Sequence, residues 1–282
     1  MLKRGPWWLL LGAAALAASL VAAALILWGA PEALYAQTCR EPAPLRFEAA
    51  GKIVRSELGF TQGLEFHDGQ LYESTGRIGG TTRINVISLT GQVRTLTDLG
   101  TAVFGEGLTI LNGEIFQLTW QDHLVFVYDL AANRRRTMRS PREGWGLTND
   151  GTNLIFSDGG PSFHYADPKT FAVRRSVKVR TNRAGDILGL NELELARGRI
   201  YGNIFTTWSV VRLDPTTGCI DAIADLRGLR DSMSADEKAQ IDSDSGNYVL
   251  NGIAHDDSTG LFYLTGKRWK TIFSGRFTEA AR

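Results

Sequence analysis

The chain has 282 residues, 43% hydrophobic and 22% charged, a balance that excludes disorder and collagen-like repetition and leaves room for a large core. Its 31 basic and 30 acidic side chains give a net charge of +1, so nothing attracts a polyanion and no nucleic-acid partner is expected. Only one long apolar run exists, which excludes a multi-pass membrane protein.

That run comes first. Lys3 and Arg4 precede an uncharged stretch over residues 5–31, with Trp7, Trp8 and Trp28 near its ends. A basic start followed by apolar residues is an export signature, and this one is long enough to span a bilayer with tryptophans at its interfaces. Residues 1–36 are read as a signal peptide or an uncleaved membrane anchor, and residues 37–282 as the folded domain. Both readings make the domain extracytoplasmic (periplasmic or secreted), touching a membrane only through residues 1–36 if they are retained. In such a compartment the only two cysteines, Cys39 and Cys219, are a candidate disulfide. Two cysteines and four scattered histidines show no metal-ligand spacing, so no metal or other cofactor is expected.

The body is a repeat. Residues 47–56 alternate like a strand and are expected to pair with the far end of the chain. Five stretches then share one pattern, in which a first strand ending in an aliphatic pair is followed by a turn and a Leu/Ile-aromatic second strand. The first reads Phe60-Thr-Gln-Gly-Leu-Glu-Phe, then a turn at Asp68-Gly69, then Leu71-Tyr-Glu-Ser-Thr-Gly. The second reads Phe104-Gly-Glu-Gly-Leu-Thr-Ile, a turn at Asn112-Gly113, then Ile115-Phe-Gln-Leu-Thr-Trp. The third reads Glu143-Gly-Trp-Gly-Leu-Thr and Leu154-Ile-Phe-Ser-Asp-Gly, and the fourth Leu190-Asn-Glu-Leu-Glu-Leu and Ile200-Tyr-Gly-Asn-Ile-Phe. The fifth reads Leu250-Asn-Gly-Ile-Ala and Leu261-Phe-Tyr-Leu-Thr-Gly-Lys. Asn-Gly, Asp-Gly and similar pairs are hairpin turns. Third strands follow at Arg83, His123, Ser162 and Ser209.

Anchored on Leu64, Leu108, Leu147, Leu193 and Ile253, the repeats are spaced by 44, 39, 46 and 60 residues. The shorter spacings are those of a four-stranded propeller blade, about 40–50 residues. The excess in the longest interval lies in residues 225–248, where Ser234 caps an expected short helix. The fold class is therefore all-β, a five-bladed β-propeller after an N-terminal signal or anchor segment.

In a propeller the innermost strands line a central channel, so matching repeat positions form a ring. The residues two before each anchor are Gln62, Glu106, Trp145, Asn191 and Asn251, with Phe60, Phe104, Glu143 and Glu192 beside them. Second strands end near Trp120, Asp158, Phe205 and Lys267, with Trp208 close behind. Aromatic walls with a few convergent polar groups are the profile of a small-ligand pocket.

The combined blocks, from Phe60-Thr-Gln-Gly-Leu through Phe104-Gly-Glu-Gly-Leu, Leu118-Thr-Trp, Gly144-Trp-Gly-Leu and Leu190-Asn-Glu-Leu-Glu to Leu250-Asn-Gly-Ile-Ala and Thr265-Gly-Lys, resemble the plant and bacterial type of glutaminyl-peptide cyclotransferase. The match runs over about residues 54–273. The resemblance implies a five-bladed propeller that cyclises the N-terminal glutamine of peptides or proteins to pyroglutamate, releasing ammonia, and that is unrelated to the zinc-dependent animal type. It places the catalytic carboxylate on Glu106 and pocket residues on Phe60, Gln62, Phe104, Trp120, Trp145, Asn191, Trp208 and Lys267. Asn251 joins them from the ring. The stretch Arg77-Ile-Gly-Gly departs from the family pattern and has no assigned role.

The chemistry suits those residues. The substrate's α-amine attacks its own side-chain carboxamide, so the enzyme must hold one rotamer. Glu106 takes the amine proton and returns it to the leaving nitrogen. Gln62, Asn191 and Lys267 are available to stabilise the oxyanion, with Asn191 or Lys267 the expected donor. Two other readings stay open: a metal-dependent lactonase-like hydrolase with Glu106, Asn191 and Asn251 around a hard cation, and a non-catalytic protein-binding propeller. A closed propeller of this kind is expected to be a monomer.

Overall fold

The computed structural model describes residues 39–279. The expectation placed on residues 1–36 lies outside these residues. Among the described residues no helix is long and apolar enough to cross a membrane. Both cysteines, Cys39 and Cys219, are disulfide-bonded.

Strand β1 spans Ala43–Val54. An antiparallel sheet follows, β2 (Thr61–His67), β3 (Gln70–Thr75), β4 (Arg83–Ser88) and β5 (Val93–Asp98), its strands ordered as in the chain. A second has the same plan: β6 (Gly105–Leu111), β7 (Glu114–Thr119), β8 (Leu124–Asp129) and β9 (Arg134–Arg139). So has a third: β10 (Leu147–Asn149), β11 (Leu154–Ser157), β12 (Ser162–Ala166) and β13 (Val173–Lys178). The remaining strands are β14 (Leu190–Ala196), β15 (Arg199–Ile204), β16 (Ser209–Leu213), β17 (Ile220–Asp225), β18 (Leu250–Asp256), β19 (Leu261–Gly266) and β20 (Thr271–Glu279). With β1 they form an eight-stranded sheet in the order β14-β15-β16-β17-β1-β20-β19-β18.

That larger sheet has a seam. β1 runs antiparallel to β20 but parallel to β17, and the parallel pairing covers only Ala43–Leu45 against Ala222–Ala224. On either side of the seam the strands run up and down like those of the smaller sheets. The turns expected at Asp68-Gly69 and Asn112-Gly113 adopt positive φ at both positions, as does Arg197-Gly198, the geometry that matches the twist of the flanking strands.

The sheets stack face to face. One apolar cluster joins Phe116 and Leu118 of the second sheet to Leu154 and Phe156 of the third. Another joins Ile155 and Phe163 to Leu193 and Ile200, and others join Ile84 to Ile115 and Leu64 to Ala254. The first strands touch in cyclic order, β2, β6, β10, β14, β18 and back to β2, a propeller-like arrangement around a central axis. Close approach there demands glycine. A Cβ on Gly107 would lie 2.5 Å from the Leu147 nitrogen, and one on Gly146 would collide with the Asn191 backbone oxygen.

Between β17 and β18 lie two short helices, α1 (Gly228–Asp231) and α2 (Ala235–Ser243). The expected cap is present: the Ser234 side chain accepts from the Glu237 backbone N–H, and Glu237 reaches back in a capping box. Glu237 also accepts from the backbone N–H groups of Lys270 and Thr271, each at 2.9 Å. The insertion is thereby fastened to the start of β20.

Candidate active site

Where β2, β6 and β14 begin, their first residues converge. They open into a cavity of about 210 Å³ lined by Phe60, Gln62, Phe104, Glu106, Trp120, Trp145, Asn191 and Lys267, together with Ile78, Phe205, Gly246 and Asn247. Glu106 is carried by β6 between two glycines. Its neighbour Gly105 has no room for a Cβ, which would fall 2.6 Å from the Thr75 oxygen. Alternation along the strand turns the Glu106 side chain to the opposite face, and it lines the cavity.

Glu106 is 6% exposed. The Gln62 Nε2 group donates to its Oε1 at 3.0 Å. Burial raises its pKa well above the usual carboxylate range; the Lys267 charge pulls the other way, and Glu143 adds to the rise. Lys267 is 5% exposed. Its ammonium sits 5.1 Å from the centre of the Phe60 ring and 4.8 Å from that of Phe205, where ring faces compensate part of the lost hydration. Burial lowers its pKa and Glu106 raises it. Two opposite charges thus share one cavity, each pushed toward its neutral form by burial and held back by the other.

The walls are rigid aromatics meeting edge to face. Phe60 and Phe104 are 6.1 Å apart at 89°, Phe104 and Trp120 5.6 Å apart at 67°, and Trp145 and Phe205 5.6 Å apart at 78°. Trp120 is pinned further, its Nε1 donating to Glu143 Oε2 at 2.9 Å. Trp145 Nε1 and Asn191 Oδ1 are different: both are buried and neither has a hydrogen-bond partner. Such orphaned groups are costly unless something occupies the site. One is a donor, the other an acceptor, and both belong to residues that line the cavity.

Two sequence-selected residues lie apart from this lining. Asn251 points along the ring, donating its Nδ2 to the Thr61 oxygen at 3.0 Å and to the Gln62 oxygen at 3.3 Å, so it braces the start of β2. Trp208 stacks on Trp269 with centroids 5.2 Å apart and packs against the core. Other residues line the cavity without having been expected from sequence. Ile78 belongs to the Arg77-Ile-Gly-Gly stretch, whose departure from the family pattern was the available signal. Gly246 and Asn247 come from the insertion before β18, which has no repeat register to place it. Among the described residues, no three His, Cys, Asp or Glu side chains gather as they would around a metal ion.

Residues 20–277 match the model of the family described as glutamine cyclotransferase. The glutaminyl-peptide cyclotransferase of Arabidopsis thaliana is 31% identical over 237 residues, 83% of this chain and 72% of that protein. The crystal structure of Myxococcus xanthus glutaminyl cyclase superposes with a TM-score of 0.73 at 31% identity, covering 86% of this chain and 100% of that one. Family model, relative and solved structure agree, and the chain belongs to the glutamine cyclotransferase family.

Proposed function

We propose that the enzyme is a five-bladed β-propeller that closes the glutamine ring in the cavity around Glu106. The activity is that of a glutaminyl-peptide cyclotransferase, an acyl transfer within the substrate that converts an N-terminal glutamine to pyroglutamate and releases ammonia. Five blades are supported by the cyclic contact of β2, β6, β10, β14 and β18. In this reading the eight-stranded sheet is two blades meeting at the β1–β17 seam.

One observation carries the site: a buried carboxylate and a buried ammonium share one aromatic cavity, and two of its lining residues, Trp145 and Asn191, carry an unpartnered donor and an unpartnered acceptor. Glu106 accepts a proton from the substrate's α-amine, whose nitrogen attacks the side-chain carboxamide carbon. The C–N bond that forms closes a five-membered lactam. Glu106 then delivers the proton to the departing NH₂ group, which leaves as ammonia, and the carboxylate is restored. Its raised pKa suits both tasks, because an ordinary carboxylate is a weak base and leaves little acid at neutral pH. The Gln62 amide orients the carboxylate. The Lys267 ammonium and the Trp145 N–H stabilise the oxyanion, while Asn191 Oδ1 accepts from a substrate N–H. Phe60, Phe104 and Trp120 wall in the reactive rotamer.

The rival metal-hydrolase reading needs Asn251 as a ligand. Its Nδ2 is committed to β2, and its Oδ1 accepts from Asn203 Nδ2 at 3.3 Å. The disulfide supports an oxidising, extracytoplasmic location; residues 1–36 would supply the export signal or anchor. The test is ammonia release from a Gln-initiated tripeptide by the protein and its Glu106→Gln variant, with and without EDTA. Chelator-insensitive release that collapses in the variant is expected. Release that persists in the variant would remove Glu106 as the shuttle, and loss with EDTA alone would restore a metal site.

A further inference from the structure

A second cavity opens beside the first and shares its wall. It holds about 290 Å³, and Phe60 and Ile78 line both spaces. Its other walls come from residues 57–59, from the 76–81 loop between β3 and β4, and from Tyr248 and Arg268. A substrate that reacts at its first residue must lead the rest of its chain out of the first cavity. Glu106 and Lys267 line the first cavity, and the second is the neighbouring space across Phe60 and Ile78.

Arg268 is held there with care. It adopts φ +60°, a left-handed backbone that a residue with a side chain rarely takes. Its backbone N–H donates to the Gly59 oxygen at 2.8 Å. The guanidinium lies over Phe60 at 5.7 Å and Tyr248 at 5.5 Å. It passes beneath Gly79, where a Cβ would collide with Nη2. The cavity's other charges are matched, Arg83 pairing with Asp98 at 3.0 Å and with Glu57 at 3.9 Å. Asp244 is bound to Asn247, and Arg268 is only the weakest influence on its carboxyl. Among the described residues no carboxylate forms an ion pair with Arg268. It is the surplus cation of the cavity.

Lys267 and Arg268 both sit over the Phe60 ring, at 5.1 and 5.7 Å from its centre. The two cations are thus at most about 11 Å apart, a span that no more than three residues of extended chain cover at ~3.4 Å each. We propose that the second cavity is the subsite for the second and third residues of the peptide, and that Arg268 selects a carboxylate there. The carboxylate is an acidic side chain or, in a short peptide, the free C-terminus. This rests on the cyclotransferase reading and narrows it to a substrate class.

The test compares kcat/KM for ammonia release by the full chain, Arg268→Asn and Arg268→Lys. Asparagine removes the charge yet tolerates left-handed backbone. The peptides are Gln-Ala-Ala-NH₂, Gln-Glu-Ala-NH₂, Gln-Ala-Glu-NH₂ and Gln-Lys-Ala-NH₂, with Gln-Ala as the free acid and as the amide. The reading is the acidic-to-neutral ratio within each protein, which cancels any general loss of fold or activity. A partly exposed pair gives a preference of about fivefold at low salt. It should shrink as salt rises, vanish in Arg268→Asn and survive in part in Arg268→Lys. A preference confined to the free-acid dipeptide assigns the cation to the peptide terminus, and one seen in the amides assigns it to a side chain. Equal ratios in the unaltered protein, or a preference that persists in Arg268→Asn, overturn the subsite. Absence of ammonia from every peptide overturns the cyclotransferase reading itself and the subsite with it.

Discussion

The inner strands carry carboxylates to both ends of the ring, and the two ends treat them differently. Where β2, β6 and β14 begin, Glu106 shares an aromatic cavity with Lys267. Where they finish, Glu65, Glu194, Asp256 and Asp257 line a wider, polar space of about 600 Å³ whose lining contains no lysine or arginine. Between the ends Glu192 is fully buried, its carboxylate accepting from the Leu64 N–H at 3.2 Å and the Ile253 N–H at 2.8 Å. Burial raises the four glutamates, Glu65 to about 7 and Glu106, Glu192 and Glu194 well above the usual range. A raised carboxyl is therefore no mark of a site in this molecule. What sets one end apart is the facing cation and the aromatic enclosure; unpartnered buried polar atoms occur at both ends, Trp145 Nε1 and Asn191 Oδ1 at one and His255 Nε2 at the other.

The sharpest way to break that contrast is to neutralise one carboxylate at each end. Glu106→Gln should lower kcat/KM for ammonia release at least ~100-fold, while Glu65→Gln should stay within about threefold. Comparable losses in both would dissolve the distinction. Next in size, Lys267→Met should cost on the order of 30-fold, the scale of one lost oxyanion donor or less. It should also reshape the pH profile. With Lys267 present, the acid limb reports Glu106, raised by burial but restrained by the ammonium. Removing the ammonium removes that restraint, so the acid limb should move to higher pH. A limb that stays in place would uncouple the two groups.

The smallest effect belongs to the other end and is read in stability. Glu65 has a folded pKa of about 7 against an ordinary value of 4.5, so the folded state keeps its proton longer than the unfolded state. Stability is then greatest below about pH 4.5 and is lost as pH rises toward 7. Glu65→Gln should raise Tm by about 3 °C at pH 8 and leave it nearly unchanged at pH 4. A gain equal at both pH values would mean that ionisation of Glu65 is not the cause.

Much of the site was legible because a repeat turns sequence position into direction. Once Leu64, Leu108 and Leu193 were taken as equivalent, the residue two places earlier had to face the same way in each unit. Gln62, Glu106 and Asn191 duly open into one cavity. The same rule misled at Asn251, which holds the equivalent position but spends its amide on the backbone of β2. Register gives a direction but not a hydrogen-bond partner. Ile78 and Asn247 escaped because loops between strands have no period. Glu192 was visible as a neighbour of the ring. Its bracing role depends on two amide groups 128 and 61 residues away, which no local pattern reveals.

The pairing of β1 with β20 has a consequence in time. The contact runs from Leu45 opposite Glu279 to Val54 opposite Thr271, so the first described strand finds its long antiparallel partner only in the last. While the intervening chain is being made, that edge stays open, a template for pairing with other chains. Closing it requires a loop across nearly the whole domain, which makes it a late event in folding. The domain thus carries its latch at both ends and cannot shut until the last strand has been made.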